Sequence, residues 1–342
     1  MNRIITFGEI MMRLQPPDNM RIVQSGLLEF TFGGAEANVA VSLANFGEEA
    51  DFISKVPNNE IGQAAINSLR RYGVSTVNVV QGGERLGIYF CEKGASQRPS
   101  KVIYDRVYSA ISQARTEDFD WDKIFDGADW FHFTGITPAL GKNVFEICVE
   151  ACKKAKQKGI RISADLNYRK KLWTKEAANK AMSKLCQYID VCIANEEDAK
   201  DVFGFEAQNT DIERGELDRE GYKSVAEQLT DRFGFDYVAI TLRESKSASD
   251  NSWSGMLYDG QKKQAYFSKK YEMHIIDRVG GGDSFGAGLI YSLRKGYDNH
   301  RCIEFAVAAS CLKHTIGGDY NIVSVAEVEA LAVGSGSGRV QR

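Results

Sequence analysis

Short β-rich runs alternate with helical patterns through most of the 342 residues, and this alternation narrows the possible folds more than any other feature. Strand-like runs are expected at 3–10, 51–56, 76–80, 129–134, 160–166, 190–194 and 237–242. Helical spacing of apolar residues covers 37–46, 61–72, 144–158 and 175–188. Such alternation implies right-handed βαβ crossovers and a largely parallel sheet covered on both faces, so the fold class is α/β. The runs led by Asp129, Asp190 and Asp236 have the nearly continuous apolar character of buried parallel strands.

Two runs break the rhythm. Residues 86–92 (LGIYFCE) and 101–107 (KVIYDRV) are joined by a polar turn bearing Gly and Pro, with no helix between them, so an antiparallel hairpin is expected. With 12–32 they form a small sheet beside the main one. An appended sheet suits a lid, because ligands of open α/β sheets bind outside the carboxyl ends of the strands; a hairpin without that role is the alternative. Residues 206–222 are acidic and aperiodic, which predicts a surface excursion, and 334–342 (GSGSGRVQR) read as a flexible tail behind a single domain, 1–333.

Composition excludes several function classes. With 43 Lys plus Arg against 46 Asp plus Glu, the net charge of −3 lacks the basic surplus of a nucleic-acid binder. No run approaches the roughly 20 apolar residues of a membrane span, and the N-terminal run lacks the features of a signal peptide. The seven cysteines are odd in number and contain no C-x-x-C pair, as expected for free thiols in a reducing, cytoplasmic compartment. Cys148 and Cys152 stand four apart on an expected helix, but no His or Cys pair completes a metal shell.

The segment 277–293, DRVGGGDSFGAGLIYSL, carries the clearest chemistry. Gly280, Gly281 and Gly282 precede Asp283, and Phe285, Leu289 and Leu293 then follow at helical spacing. Backbone N–H groups converging before a helix attract an anion, and phosphate is the natural guest. A carboxylate there makes sense as a base that takes a proton from an attacking hydroxyl. The plain alternative is that Asp283 is an N-cap and the glycines a turn. A second pair, Gly33 and Gly34, leads into AEANVAVSLANFG, with Asn38 in the first turn where its amide can donate and accept; a simple turn before a packed helix is the alternative. Neither Gly-x-x-x-x-Gly-Lys-Ser/Thr nor Gly-x-Gly-x-x-Gly after the first strand is present.

GGAEANVAVSLANFG and DRVGGGDSFGAG, some 240 residues apart in the chain, resemble the two signature regions of the ribokinase-like (PfkB) carbohydrate kinases. FTGITPAL (133–140), DLNYRKKLW (165–173) and KHTIGGDYN (313–321) are similar to segments of 2-keto-3-deoxygluconate kinases. The resemblance implies a three-layer fold with a small β-lid, ATP and Mg²⁺ as cofactors, and 2-keto-3-deoxygluconate as the substrate phosphorylated. It makes Asp283 the general base and the glycines 280–282 the anion hole. Around the sugar it places Gly33, Gly34, Asn38, Tyr89, Tyr104, Arg106, Ile136, Arg169 and Asp319. Toward the nucleotide it places Asn167, Asn195, Asp198, Thr241, Arg243, Gly280, Gly282 and Asn321. Asp198 stands where the family usually has Glu, Arg243 where smaller residues are common, and Arg278 where Thr is usual. Arginine suits an acid sugar because it meets a carboxylate with two parallel hydrogen bonds. A kinase of a neutral sugar or nucleoside, and a catalytically silent sugar sensor, are the competing readings. A homo-oligomer is expected through an apolar outer face of the lid sheet. His132 is expected to be a core residue, and His314 is placed at a helix end that favours a cation.

Overall fold

The computed structural model describes residues 2–195, 197–206 and 219–334. Most of the expected acidic excursion and nearly all of the tail lie outside the described residues. The strands are β1 (Arg3–Phe7), β2 (Met11–Gln15), β3 (Glu29–Gly33), β4 (Ala50–Ile53), β5 (Lys55–Val56), β6 (Val80–Gln81), β7 (Gly87–Glu92), β8 (Lys101–Asp105), β9 (Ala128–Thr134), β10 (Arg161–Asp165), β11 (Val191–Ala194), β12 (Tyr237–Ser245), β13 (Asp250–Asp259), β14 (Gln264–Phe267) and β15 (Tyr271–His274). The helices are α1 (Ala35–Asn45), α2 (Glu60–Arg70), α3 (Trp121–Ile124), α4 (Lys142–Gln157), α5 (Lys175–Leu185), α6 (Asp198–Phe203), α7 (Arg219–Phe233), α8 (Gly281–Arg294), α9 (Asn299–Lys313) and α10 (Val325–Val333).

Among the described residues the main sheet has nine strands in the order β14-β13-β12-β11-β10-β9-β1-β4, with β15 also on β13. From β4 to β12 every pairing is parallel, and β13, β14 and β15 add antiparallel strands at one edge. Two apolar clusters cover the sheet. One contains Phe131, Phe133, Ile147, Cys148, Cys152 and Leu185; the other packs Leu43, Phe52, Phe285, Leu289 and Phe305. This is the α/β architecture that the alternation predicts.

The small sheet runs β3-β2-β7-β8, with β7 and β8 antiparallel and Tyr89 directly opposite Tyr104. Its inner face rests on a minor cluster of Met11, Tyr89 and Cys91, while Phe30 and Ile103 remain exposed.

Three sequence expectations change. The run 3–10 is not one strand: β1 ends at Phe7 and the chain crosses at Gly8 into β2 of the small sheet. Residues 76–80 do not form a central strand, because the Val79 N–H closes a turn on the Thr76 carbonyl, leaving only the two-residue β6 beside β5. The antiparallel edge β13–β15 was not anticipated.

Candidate functional site

Between the carboxyl ends of the parallel strands and the inner face of the small sheet lies a cavity of about 550 Å³. The parallel strands set its floor, as open α/β sheets do at their carboxyl ends. Asp165 ends β10, Asn195 follows β11 and Thr241 lies within β12, and all three line the cavity.

One wall is the start of α8. Gly280 is the N-cap, with φ of 84°, and a Cβ there would sit 2.0 Å from the Asp319 carbonyl oxygen, so both conformation and space require glycine. Asp283 is the third helical residue rather than the N-cap, which overturns that part of the plain alternative, while the chain does turn at Gly280. Its Oδ2 accepts a hydrogen bond from Asn38 Nδ2 at 2.7 Å, and Asn38 Oδ1 accepts the Gly34 N–H at 3.3 Å. Burial pushes the Asp283 carboxyl up to about 6, and the Asn38 bond opposes that rise. The first-turn N–H groups of a helix have no intrahelical acceptor, and Gly282 opens onto the cavity with no heavy atom within 4 Å of a would-be Cβ. The result is a carboxylate beside an anion-attracting backbone.

Gly33 ends β3 and Gly34 leads into α1, where a Cβ on Gly34 would lie 1.9 Å from the Glu9 carbonyl oxygen. The small sheet forms the opposite wall. Tyr89 and Tyr104 line the cavity, and their rings are 6.1 Å apart. The Tyr89 hydroxyl donates to Asp319 at 2.6 Å. Arg106 reaches the cavity but is paired with buried Glu9, so one of the two arginines expected to face substrate already has a carboxylate. Arg169 differs: among the described residues its guanidinium makes one hydrogen bond, to the Tyr168 carbonyl at 3.1 Å, and it lies at the cavity near Asp165 and Asp283. Ile136, just beyond β9, completes this end.

At the far end, Asn167, Asn195, Thr241, Arg243 and Arg278 line the cavity, and Asn167 adopts a positive φ of 39°. Arg278 donates to the Ala248 carbonyl at 3.3 Å. Four residues carried over from the family pattern do not line the cavity: Gly33 packs against Asp319 and Gly281 against His314, and Asp198 and Asn321 lie elsewhere. The Asp198 oxygens accept the backbone N–H groups of Tyr168 (3.0 Å) and Asn195 (3.1 Å), so this carboxylate braces two loops instead of lining the cavity. Asn321 is fully buried away from the cavity, its Oδ1 accepting the Val323 N–H. His314 is no cation: burial lowers its pKa to about 4, and its ring packs on Trp253. His132 is buried in the core, as expected, with Nδ1 2.8 Å from Ser163 Oγ.

The sequence reading missed several residues. Glu36 lines the cavity, and burial pushes its carboxyl up to about 7 while it accepts from the Thr134 N–H and from the Thr134 and Thr137 hydroxyls. Asp165 is raised well above the carboxylate range by burial and by the nearby charges of Asp198 and Asp283. Arg13 is fully buried and joins Asp319 (2.8 Å) to Asp277 (2.6 Å). An arginine within the apolar strand MMRLQ was the available signal, since a buried arginine demands carboxylates.

Residues 1–324 match the pfkB family carbohydrate kinases. A 2-dehydro-3-deoxygluconokinase structure from Thermotoga maritima is 53% identical and superposes with a TM-score of 0.94, covering 98% of this chain and all of that one. A 2-dehydro-3-deoxygalactonokinase from Haloferax volcanii is 32% identical over 335 residues, 98% of each chain. In fold alone, a putative ribokinase II from E. coli superposes with a TM-score of 0.79 at 19% identity, covering 96% and 98% of the two chains. With a family match of this extent and relatives this similar over nearly the full chain, the protein belongs to the pfkB family of ATP-dependent carbohydrate kinases.

Proposed function

We propose that the enzyme transfers the γ-phosphoryl group of ATP to the primary hydroxyl of 2-keto-3-deoxygluconate, giving the 6-phosphate. The observation that carries this reading is the half-buried Asp283 carboxylate, held by Asn38 beside the glycine loop and facing the same cavity as Arg169. Asp283 takes the hydroxyl proton as the oxygen attacks phosphorus, and ADP leaves. The loop 280–282 and the positive end of α8 hold the charge that develops on the transferred group, so positioning and charge stabilisation supply most of the rate. Arg169 meets the sugar carboxylate, and Tyr89, Tyr104, Ile136, Gly34 and Asn38 frame the remaining atoms. Thr241, Asn167, Asn195, Arg243 and Arg278 take the nucleotide end. Two relatives named for 2-dehydro-3-deoxy sugar acids support an acid substrate.

Among the described residues no group of three or more His, Cys, Asp or Glu side chains forms a metal site by itself. Mg²⁺ usually takes one or two carboxylates together with phosphate oxygens, and Asp165, raised by burial and like charge, fits that demand with Asn167 beside it. When bound, the ion would neutralise charge on the phosphates.

We also infer that the small sheet, spanning 12–32 and 86–107, acts as a lid and that its exposed Phe30 and Ile103 meet a second copy; light scattering of Phe30→Asp tests the latter. Among the described residues no helix is long and apolar enough to cross a membrane, and the free cysteines suit a cytoplasmic setting. The deciding experiment is ADP release across sugar acids, ketoses and nucleosides. Turnover greatest with 2-keto-3-deoxygluconate supports the proposal; preference for a neutral sugar, or no turnover with any, refutes it.

A further inference from the structure

We propose that Lys313 is a positioning residue whose ammonium group acts as a built-in monovalent cation beneath the glycine loop, so that turnover needs no added potassium or ammonium ion. This rests on the reading of residues 280–282 as the phosphoryl site.

Lysine is almost never fully buried, because its charge loses water and its long stem normally carries that charge to the surface. Lys313, the last residue of α9, is 0% exposed. Its Nζ donates to two backbone carbonyls, Asp277 at 3.4 Å and Ile316 at 3.2 Å. One carbonyl opens the segment that enters the glycine loop; the other belongs to the turn leaving α9. The ammonium therefore ties the loop to the helix behind it. The stem runs directly against the loop, with Cε 3.2 Å from the place a Cβ on Gly280 would occupy. The carboxyl end of a helix carries partial negative charge, which favours a cation there.

The charges around the loop explain why a cation is needed. Asp277, Asp319 and Asp283 all lie close enough to act on Lys313. Arg13 pairs with Asp277 and Asp319 together, and Lys93 approaches Asp277 at 3.9 Å from the cavity side. Asp283 thus faces the incoming phosphates with Lys313 as the fixed positive charge on its inner side. Burial, with the nearby charge of Arg13, lowers the Lys313 pKa, and the carboxylates of Asp277, Asp319 and Asp283 oppose that fall. If packing were the only requirement, a methionine would fill the same space without the cost of burying a charge. Two carbonyls at a negative helix end, ringed by carboxylates, make up a site that would hold a potassium or ammonium ion; here a side chain fills it.

The test begins with the unaltered enzyme, assayed with saturating sugar in sodium, potassium, ammonium and choline chlorides at equal ionic strength. Equal turnover is expected, and stimulation severalfold by potassium or ammonium overturns the proposal. Lys313→Met should lower kcat/KM for ATP about 10²-fold while sugar affinity stays within experimental error. In the shorter Lys313→Ala, ammonium or methylammonium should restore about tenfold or more of the loss, and tetramethylammonium, too large for the space, should not. Wild-type ATP kinetics in a folded Lys313→Met, or a loss in folded Lys313→Ala that no small cation answers, also overturns it. If these two variants fail to fold, Lys313→Gln keeps the carbonyl contacts without the charge and must show the same loss. Failure of the function proposal would look different: the unaltered enzyme would then release no ADP with any sugar acid.

Discussion

At the phosphoryl end of the cavity, residues 277–283 supply the turn, the helix start and the carboxylate from one continuous stretch of chain. At the sugar end, the ion pairs join residues 97 positions apart, as in Arg106 with Glu9, or 306 apart, as in Arg13 with Asp319. The first end needs little beyond local backbone geometry, because helix N–H groups and a dipole come with the helix itself. The second exists only once the small sheet has docked on the main one. The charges of Arg13 and Arg106 are already paired there, so ordering them is completed during folding and does not weigh on substrate binding.

Replacing Asp283 should break the phosphoryl end most severely. Asp283→Asn is expected to lower kcat by about 10²–10⁴-fold, with sugar binding by calorimetry little changed. Retained turnover would remove the base assignment. The same variant should gain stability. The Asp283 pKa of about 6 lies above the ordinary 3.8, so the folded protein binds the extra proton and stability declines as pH rises from about 4 to 6. In Asp283→Asn that dependence should disappear from the melting curve.

The two arginines sharpen the comparison next. Arg106→Ala leaves buried Glu9 without its cation, which should cost about 3–5 kcal/mol of folding stability, read as a large fall in Tm. Among the described residues Arg169 forms no ion pair, so Arg169→Ala should leave Tm nearly unchanged. Its effect should instead be a loss of about 1.5–3 kcal/mol in acid-sugar binding, with neutral sugars unaffected. If both variants behaved alike, the division between a committed and an available arginine would be wrong.

Smaller effects divide the glycine loop. Gly280→Ala imposes a left-handed conformation costing about 1–2 kcal/mol, in addition to the collision with the Asp319 carbonyl. Gly282→Ala meets nothing within 4 Å and should melt like the unaltered enzyme while binding ATP more weakly. The smallest expected change is in pH dependence. The base works deprotonated, so kcat/KM should fall as pH drops through about 6; Asn38→Ala removes a donor that stabilises the carboxylate and should move that limb upward. A downward or absent shift would contradict the Asn38 contact.

Legibility followed the range of the interactions. Asp283 and its glycines were readable because the motif and its helix are contiguous, and the hairpin that carries Tyr89 and Tyr104 because one short turn joins its strands. Arg106 looked available from its strand position, but its partner Glu9 enters from another segment. Asp198 looked like a ligand carboxylate, yet the loop geometry around Tyr168 and Asn195 consumes both of its oxygens. Glu36 and Lys313 gave no periodic signal, and for Arg13 the apolar strand around it signalled burial but not which carboxylates it would meet.

The sequence by itself determined the α/β alternation, the hairpin of the second sheet and the glycine-bounded start of α8, because each depends on spacing and backbone preference within a short stretch. The tertiary structure alone decided which charges are spent and which face the cavity. Pairing depends on distances of a few ångströms between residues hundreds of positions apart, and hydrophobic periodicity carries no information about them.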